Sequence, residues 1–219
     1  MIRAVVARTL AVLLVAVAWS PPAVHAAAVV GNGSPASCTE AALNTALGCA
    51  PATGSPPSSA CTGGGNVTFN CGPSPVTITV TSTKVMAGEM SIDGGGLITI
   101  SGGGTTQVFV VNSGETLALA NLAVSYGYNG MGGAILNEGT LTVSNSTFSG
   151  NEAYNGGAIF NDGGTLMVTN STFSGNSTYL DGGGGAISNG GGPLTVSNST
   201  FSGNHAYNGG AIDNTTPSR

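Results

Sequence analysis

The chain has 219 residues, and Gly, Thr, Ser and Asn together account for 104 of them. Only 6% of the residues are charged, far below the roughly 25% of an ordinary protein, which argues against a nucleic-acid-binding protein, a charged disordered tail or a coiled coil. Hydrophobic residues make up 41% of the chain, which is enough for a core, while the abundance of Gly disfavours long helices. The composition therefore predicts a β-rich fold with many turns.

Residues 1–26 have the layout of a secretory signal peptide. Arg3 and Arg8 precede an apolar run over residues 10–19, and the segment ends in small residues. A membrane anchor is the alternative, but the apolar run is only half of the about 20 residues that a bilayer span needs. We therefore predict an exported chain whose mature form begins near residue 27 and has no transmembrane segment.

Four cysteines lie within the next 50 residues, at Cys38, Cys49, Cys61 and Cys71. In an exported chain they predict two disulfides, for which three pairings are possible. The segment between Cys49 and Cys61 is rich in Pro and Ser and is typical of a surface insertion closed at its base, so we favour Cys49 with Cys61, nested inside Cys38 with Cys71. A zinc site is the rival interpretation, but the closely spaced pair of a typical zinc motif is missing. Residues 27–75 are thus expected to form a disulfide-linked N-terminal cap and linker.

Four similar units follow one another from Leu117 onward. Their opening Leu recurs at intervals of 24, 25 and 28 residues, and the next aromatic or Val position always lies seven residues later. The equivalent positions are Leu117, Leu141, Leu166 and Leu194, then Val124, Phe148, Phe173 and Phe201, then Ile135, Ile159, Ile187 and Ile212 at the end of each Gly-Gly-Ala-Ile segment. Self-similarity at such a period decides the architecture before any local propensity does.

Short runs of alternating apolar residues separated by Gly and Asn predict strands rather than helices. Three strands in a unit of about 25 residues cannot bury an apolar side alone, so the units are expected to stack into a parallel β-solenoid with three sheets. Residues 76–111 fit as degenerate first coils, which gives repeats over residues 76–214 and a tail at 215–219. A recurring Asn is predicted to form a ladder of side-chain amides at one turn. This column is Asn121, Asn145, Asn170 and Asn198.

Residues 39–47 (TEAALNTAL) predict a short helix. Thr39 is a suitable N-cap, Glu40 lies in the first turn, and Gly48 follows as a stop. Because the end of a solenoid exposes its core and its strand edges, we expect this helix to cap the N-terminal end. At the other end the chain stops inside a unit, so we expect either a fragment of a longer, truncated protein or an end that pairs with another chain.

The Gly-Gly-Ala-Ile segments together with Phe-x-x-Asn at residues 148–151, 173–176 and 201–204 resemble the repeat of polymorphic outer-membrane proteins, a family known from surface autotransporter adhesins. The wider stretch GTLTVSNSTFSGN, followed by Gly-Gly-Ala-Ile, is also similar to secreted right-handed β-helix proteins of the pectin-lyase-like superfamily. The resemblance covers about residues 71–214. It implies a right-handed parallel β-helix, export, and a location at or beyond the outer membrane.

An enzyme is the first alternative, because the pectin-lyase-like superfamily includes polysaccharide lyases and hydrolases. A lyase needs a basic side chain to take a proton, and the mature chain offers only Lys84 and Arg219, outside the regular coils. A glycosidase needs two carboxyl groups about 5 to 10 Å apart, which only stacking of Glu138, Asp162 and Asp213 could supply. We interpret these acids as exposed turn residues and predict no catalytic site. The Gly runs match neither a phosphate loop nor a calcium repeat, so no cofactor and no metal are expected.

A binding surface is the second alternative. All five tyrosines fall in the turn between the Val/Phe column and Gly-Gly-Ala-Ile, so stacking would align them along one edge. Such a row could stack against sugar rings or anchor a protein partner, although a Tyr can also simply cover the apolar end of its own turn. The candidate ligand-binding residues are Tyr128, Tyr154, Tyr179 and Tyr207.

The sequence thus predicts an all-β protein, a right-handed three-sheet parallel β-helix with a short N-terminal capping helix. It is expected to be secreted or exposed at the outer-membrane surface as a non-catalytic adhesion, envelope or glycan-binding scaffold. Its expected partners are surface glycans or proteins of host or neighbouring cells, and not nucleic acid. A polysaccharide lyase or glycoside hydrolase is the alternative.

Overall fold

The structure, a computed structural model, describes residues 27–215, so the predicted signal peptide and the last residues of the predicted tail lie outside the described residues. Helix α1 spans Glu40–Leu47, and a 3-10 turn spans Pro35–Ser37. The first strands are β1 (Ala28–Val30), β2 (Ser58–Cys61), β3 (Gly65–Phe69), β4 (Val76–Thr79), β5 (Thr83–Met86), β6 (Glu89–Ser101), β7 (Phe109–Val111), β8 (Thr116–Ser125), β9 (Tyr128–Met131) and β10 (Ile135–Asn137). The remaining strands are β11 (Thr140–Ser144), β12 (Thr147–Ser149), β13 (Glu152–Asn155), β14 (Ile159–Asn161), β15 (Thr165–Thr169), β16 (Thr172–Ser174), β17 (Ser177–Thr178), β18 (Ile187–Asn189), β19 (Leu194–Ser197), β20 (Thr200–Ser202) and β21 (Ile212–Asp213).

The strands form three parallel sheets that wind around one core. Sheet A has eleven strands, sheet B has seven (β2, β5, β7, β10, β14, β18 and β21), and sheet C has three (β9, β13 and β17). Each strand pairs with its equivalent one coil away, so that Leu141 lies between Leu117 and Leu166. The chain is therefore a parallel β-solenoid with a short helix near its N terminus, which confirms the predicted fold class.

The repeated apolar residues form columns inside the solenoid, as predicted. The Leu, Val, Phe and Ile positions of the first three regular units are fully buried or nearly so, and those of the fourth unit are partly buried against them. The rings of Phe148 and Phe173 stack with centroids 4.9 Å apart, and those of Phe173 and Phe201 repeat the same separation. Because burying one such side chain contributes about 1.5–3 kcal/mol, identical columns supply most of the driving force for stacking.

The second and third regular units contain four strands each rather than the predicted three. Strands β11 and β12 both belong to sheet A and meet at a corner residue, Asn145. Asn121, Asn145, Asn170 and Asn198 all have positive φ, between 48° and 51°. Asn tolerates this left-handed conformation better than other residues with a side chain, so the backbone corner accounts for the recurrence.

The predicted ladder at this Asn column is wrong. The side chains at Asn145, Asn170 and Asn198 are exposed, and within residues 27–215 no hydrogen bond joins one amide of the column to another. Asn121 instead donates from Nδ2 to Oδ1 of Asp93 at 3.0 Å. A residue at an outward corner projects its side chain into solvent, where an amide has no neighbour to bond.

Two other Asn columns form buried ladders. One follows the Ile strand, with Nδ2 to Oδ1 distances of 2.6, 2.6 and 2.7 Å along its length. The other uses the Asn of Phe-x-x-Asn, with two such bonds of 2.9 Å, and each of its amide nitrogens also donates to a backbone carbonyl, as from Asn176 to Phe148 at 3.0 Å. The ladders are Asn137, Asn161, Asn189 and Asn214, and Asn151, Asn176 and Asn204. Buried polar groups must be paired, and here the amide nitrogen of one coil donates to the amide oxygen of the next.

Gly-Gly precedes the Ile strand for a steric reason. Gly156 has φ of +62°, and a Cβ there would clash with the carbonyl oxygen of Ile159. A Cβ on Gly157 would clash with the carbonyl oxygen of Gly185 in the next coil. The first Gly supplies a left-handed turn, and the second lets neighbouring coils approach at strand distance.

The paired sheets begin before residue 76. Strand β1 pairs with β3, β2 with β5, and β3 with β6, so much of the predicted cap and linker, residues 27–75, belongs to the first coils. Cys38 pairs with Cys71 and Cys49 with Cys61, the nested arrangement favoured from the sequence. The Cys49–Cys61 bond ties the segment after helix α1 to strand β2, and the Cys38–Cys71 bond joins the segment before the helix to the segment that follows β3.

Helix α1 packs against β1, the edge strand of sheet A. The Thr39 side chain accepts a hydrogen bond from the backbone N–H of Ala42 at 3.2 Å, and Gly48 ends the helix with φ of 61°. Leu43 and Leu47 are fully buried in the core. The helix predicted from residues 39–47 therefore forms, and its apolar side lies on the N-terminal part of the solenoid.

A buried ion pair joins the helix to the second coil. Nζ of Lys84, which is completely buried, lies 2.6 Å from Oε1 of Glu40 and 2.8 Å from Oγ of Ser82. Thr81 adds two hydrogen bonds to Glu40, from its backbone N–H at 2.9 Å and its hydroxyl at 2.8 Å. Burial raises the pKa of Glu40, but the hydrogen bonds from Lys84 and Thr81 outweigh it, and the pKa lies below its ordinary value. Burial also lowers the pKa of Lys84. Glu40 acts in the opposite direction, but the pKa of Lys84 still lies below its ordinary value.

Replacing Asn176 with Ala should destabilise the protein, because it leaves the buried N–H groups of Asn151 without their acceptor. The expected loss is about 1–3 kcal/mol for each unsatisfied buried group, measured by denaturant unfolding. Asn145→Gly is the matched control, since Gly adopts the positive φ freely and the lost amide makes no bond. Equal losses of stability in the two variants would contradict the assignment of Asn176 to a buried ladder and of Asn145 to an exposed corner.

Replacing Glu40 with Gln should cost about 3–5 kcal/mol, because it leaves the charge of Lys84 buried without a counter-ion. The double variant Glu40→Gln/Lys84→Met should recover most of this loss, since both charges are then gone. Unfolding in urea measures both values, with Glu138→Gln at an exposed turn as the control. A double variant no more stable than Glu40→Gln would show that the charge pair is not what couples the helix to the coil.

The same pair predicts a pH dependence. The unfolded chain, in which Glu40 has the higher pKa, takes up the proton first as the pH falls, so stability is lost below about pH 4.5. Urea unfolding across this range should show a decline that is smaller in Glu40→Gln. A decline of the same size in the wild type and in Glu40→Gln would mean that other carboxyl groups cause the loss of stability.

Candidate binding site: the tyrosine face

Sheet C presents one side to the core and the other to solvent. Its strands alternate, so Ala153 and Thr178 point inward and are buried. The outward positions form two rows across the coils. Tyr128 is in register with Glu152 and Ser177, and Tyr154 occupies the next outward position of its strand.

Three of the predicted tyrosines come together on this surface. The ring centroids of Tyr128 and Tyr179 lie 6.2 Å apart and stacked, and those of Tyr154 and Tyr179 lie 6.1 Å apart and tilted by 55°. These separations are within the range of interacting aromatic pairs. Tyr128, Tyr154 and Tyr179, from three successive coils, form a continuous aromatic surface, which we call the tyrosine face.

The fourth predicted tyrosine stands apart from the other three. Ser177 pairs with His205, which places Tyr207 in the same column as Tyr179, but its side chain is 76% exposed and contacts no other ring within residues 27–215. Tyr126, 61% exposed, lies with its ring over Gly150. The structure therefore groups three of the four candidates and leaves Tyr207 beside them.

An insertion brings a carboxylate to the tyrosine face. The interval from Phe to Ile is 14 residues in the third unit and 11 in the others, and the extra residues form a turn at Leu180, which has φ of 57°. Asp181 then accepts a hydrogen bond from the Tyr154 hydroxyl at 2.9 Å. This hydrogen bond, followed by the charge of Asp181, raises the pKa of Tyr154. Burial, followed by the neighbouring Tyr128 and Glu152, raises the pKa of Tyr179.

A cavity of about 170 Å³ adjoins Tyr128 and is lined also by Thr105, Gln107 and Asn129. The Gln107 amide nitrogen donates to the carbonyl oxygens of Met131 and Gly132, at 2.7 and 2.6 Å, and its oxygen accepts from Asn129 at 2.8 Å. The repeat pattern did not identify Gln107, because this residue lies in a degenerate coil. The one available signal was that it is the only Gln of the chain.

Only two of the three candidate carboxylates occupy equivalent positions in adjacent coils. Glu138 and Asp162 follow the paired residues Asn137 and Asn161 on exposed turns of adjacent coils, whereas Asp213 pairs with Ser188 and so lies in a different column. Lys84 is buried against Glu40 and has no access to a polysaccharide. Across residues 27–215, His, Cys, Asp and Glu side chains nowhere gather in a group of three that could hold a metal ion.

The model of the Chlamydia polymorphic membrane protein repeat matches residues 145–162, 170–190 and 198–215. Three segments of the chain are therefore similar to the polymorphic membrane protein repeat. Each matched segment of this repeat begins at the Asn corner and includes the Phe strand, the turn of sheet C, Gly-Gly-Ala-Ile and both ladder asparagines. The repeat family indicates a cell-surface or outer-membrane protein.

Neither a curated protein nor a solved structure matches the chain, so the similarity of this repeat protein to the pectin-lyase-like superfamily stays a prediction. Among residues 27–215, no helix is long and apolar enough to cross a membrane.

Replacing Asp181 with Asn should lower the pKa of Tyr154 toward its ordinary value, because the acceptor loses its charge. A spectrophotometric titration of tyrosinate absorbance measures this shift, and Tyr154→Phe identifies the transition that belongs to this residue. Glu138→Gln serves as a control for a general change in charge. An unchanged titration in Asp181→Asn would mean that the hydrogen bond does not form in solution.

Proposed function

We propose that the protein is a non-catalytic cell-surface adhesion protein and that its tyrosine face binds glycans. The observation that carries the proposal is three neighbouring tyrosine rings on the outward side of sheet C and the turn that follows it, flanked by carboxylates and adjoining a cavity. Export is part of the proposal, supported by the layout of residues 1–26 and by the two disulfides.

The chemistry of the face suits a sugar. A pyranose ring has apolar C–H faces that pack on aromatic rings, and hydroxyls that need hydrogen-bond partners at its rim. The carboxylates of Glu152 and Asp181 are available as acceptors at the face, and Thr105 and Thr106 bring hydroxyls to the adjoining cavity. Tyrosine side chains also order at low entropic cost, because they have only two rotatable bonds.

The charges of the face limit the class of glycan. Glu152 and Asp181 place negative charge beside the rings, and no Lys or Arg lies on sheet C. Acidic polysaccharides such as polyuronates would be repelled. The proposed ligands are therefore neutral or amino-sugar glycans.

The scaffold supports binding by holding the rings in place. Sheet C stacks on the buried columns and on the ladder of Asn151, Asn176 and Asn204, so the tyrosine backbone positions are set by the core. A preformed site avoids part of the ordering cost of association, and sites on strands are held more exactly than sites on free loops.

The double variant Tyr154→Ala/Tyr179→Ala should lose binding to neutral glycans on a glycan array. The control variant Tyr126→Ala, which replaces an exposed tyrosine outside the tyrosine face, should bind as the wild type does. Circular dichroism confirms that each variant is folded. Undiminished binding by the double variant would contradict the proposal. Cell binding that survives enzymatic removal of surface glycans would instead assign the face to a protein partner.

A further inference from the structure

The tyrosine face has two carboxylates beside its rings. Tyr179 is the middle ring, because it neighbours both Tyr128 and Tyr154. Asp181 accepts the hydrogen bond from Tyr154, and Glu152 is in register with Tyr128 on the adjacent strand. Both acidic residues are exposed. The three rings are therefore flanked by negative charges that come from two successive coils.

No basic side chain of the protein is paired with these two charges. The chain has nine Asp and Glu residues, and in its described part only Glu40 forms an ion pair, with Lys84. The sequence has no Lys or Arg between Lys84 and Arg219. The side chain of Glu152 makes no hydrogen bond in the part of the chain that the structure describes, and Asp181 uses only Oδ1. The face thus presents carboxylate oxygens with capacity for a further donor.

The turn that carries Asp181 is strained. The preceding residue, Leu180, has φ of 57°, and its side chain is 80% exposed. A left-handed backbone is unfavourable for a residue such as Leu, and an exposed leucine gains nothing from the core. The other units reach their Ile strand without the three extra residues of this turn. The turn is not needed for stacking of the coils, and what it adds to the surface is a carboxylate next to Tyr154.

A second pair of acids provides a comparison within the same molecule. Glu138 and Asp162 also occupy equivalent exposed positions in adjacent coils, after the paired residues of sheet B. They lie on the turn that follows the Ile strand, whereas all five tyrosines lie in the turn that precedes it. The two pairs therefore carry the same charge, and only the pair at the tyrosine face has tyrosine rings beside it.

Rings and carboxylates together favour a cation over a neutral ligand. A cation within about 6 Å of a ring centroid is attracted by the negative face of the ring. The centroids of Tyr128 and Tyr154 lie 6.2 and 6.1 Å from that of Tyr179, so one cation on the face can reach more than one ring. A carboxylate covered by a neutral ligand loses hydration without gaining a counter-charge, whereas an ammonium group donates to it and neutralises it.

We infer that the tyrosine face binds a protonated amine, and that its glycan ligands are amino sugars whose amino group is not acetylated. The inference rests on the proposed function, because it names the class of glycan bound at the same surface. The ammonium group lies against the rings and donates to Glu152 and Asp181, while the apolar face of the sugar packs on a neighbouring tyrosine. Acetylation of the amine removes its charge and leaves only the contacts with the rings.

Two disaccharides that differ only in acetylation test the inference with the mature chain. Titration calorimetry at about pH 6.5, where an amine of pKa about 7.7 is protonated, compares β-1,4-linked glucosamine disaccharide with its N-acetylated form. The wild type should bind the amine form about tenfold more tightly. Glu152→Gln/Asp181→Asn should bind both forms equally, because the amides keep their acceptor oxygens and lose the charge. Glu138→Gln/Asp162→Asn, which removes the same charge from the other turn, should keep the preference.

Circular dichroism verifies that both double variants are folded. Equal affinity of the wild type for the two disaccharides would overturn this inference and leave the proposed function intact. A loss of preference in both double variants would also overturn it, because the net charge of the protein would then attract the amine. Failure of the wild type to bind either disaccharide would overturn it as well, while the loss of array binding in Tyr154→Ala/Tyr179→Ala decides the proposed function separately.

Discussion

The pairing of each coil with the next is the interaction on which the rest of the molecule depends. A unit of about 25 residues has no core of its own, and its strands gain hydrogen bonds only from neighbouring coils. The pairing holds only if every coil places the same kind of residue at the same level. The buried asparagines Asn151, Asn176 and Asn204 make this requirement strict. Each is hydrogen-bonded to a neighbouring coil, and replacing one of them leaves a buried polar group without its partner.

This constraint also explains the composition. Positions that stack at strand spacing would set like charges directly beside each other, which destabilises a sheet, so charges are confined to turns and to single sites. The exception is the pair of Lys84 and Glu40, and it lies where the repeat is irregular and a helix replaces a coil. Small and hydroxylated residues fill the outward columns, and glycine fills the turns where neighbouring backbones approach closely.

Much of the fold could be predicted from sequence because the apolar columns recur in register. Leu141, Phe148 and Ile159 repeat with a fixed spacing, and spacing alone decides which residues stack. The identity of the ladder could not be read in the same way. Asn145 and Asn151 recur equally well, and only the left-handed backbone at Asn145 determines that its amide points outward.

The tyrosine face was predictable only in part, for a related reason. The common turn of Tyr128, Tyr154 and Tyr179 follows from the repeat, and stacking then brings them together. Asp181 reaches Tyr154 only because three additional residues fold back over the neighbouring coil, and Gln107 comes from a coil whose repeat has degenerated. Neither contact is periodic, so periodicity could not reveal it.

The outer surfaces of sheets C and A differ in how freely they can change. The turn of sheet C accepts an insertion without shifting any apolar column, since the strands before and after it keep their partners, and the loop at Asp181 shows that such an insertion can change the chemistry of the surface. The outer surface of sheet A has no such freedom, because an extra residue within β12 or β16 would move every following side chain to the opposite face. A surface of adaptable chemistry and a surface of fixed period are thus separated on one solenoid, and only the first can change without disturbing the pairing of the coils.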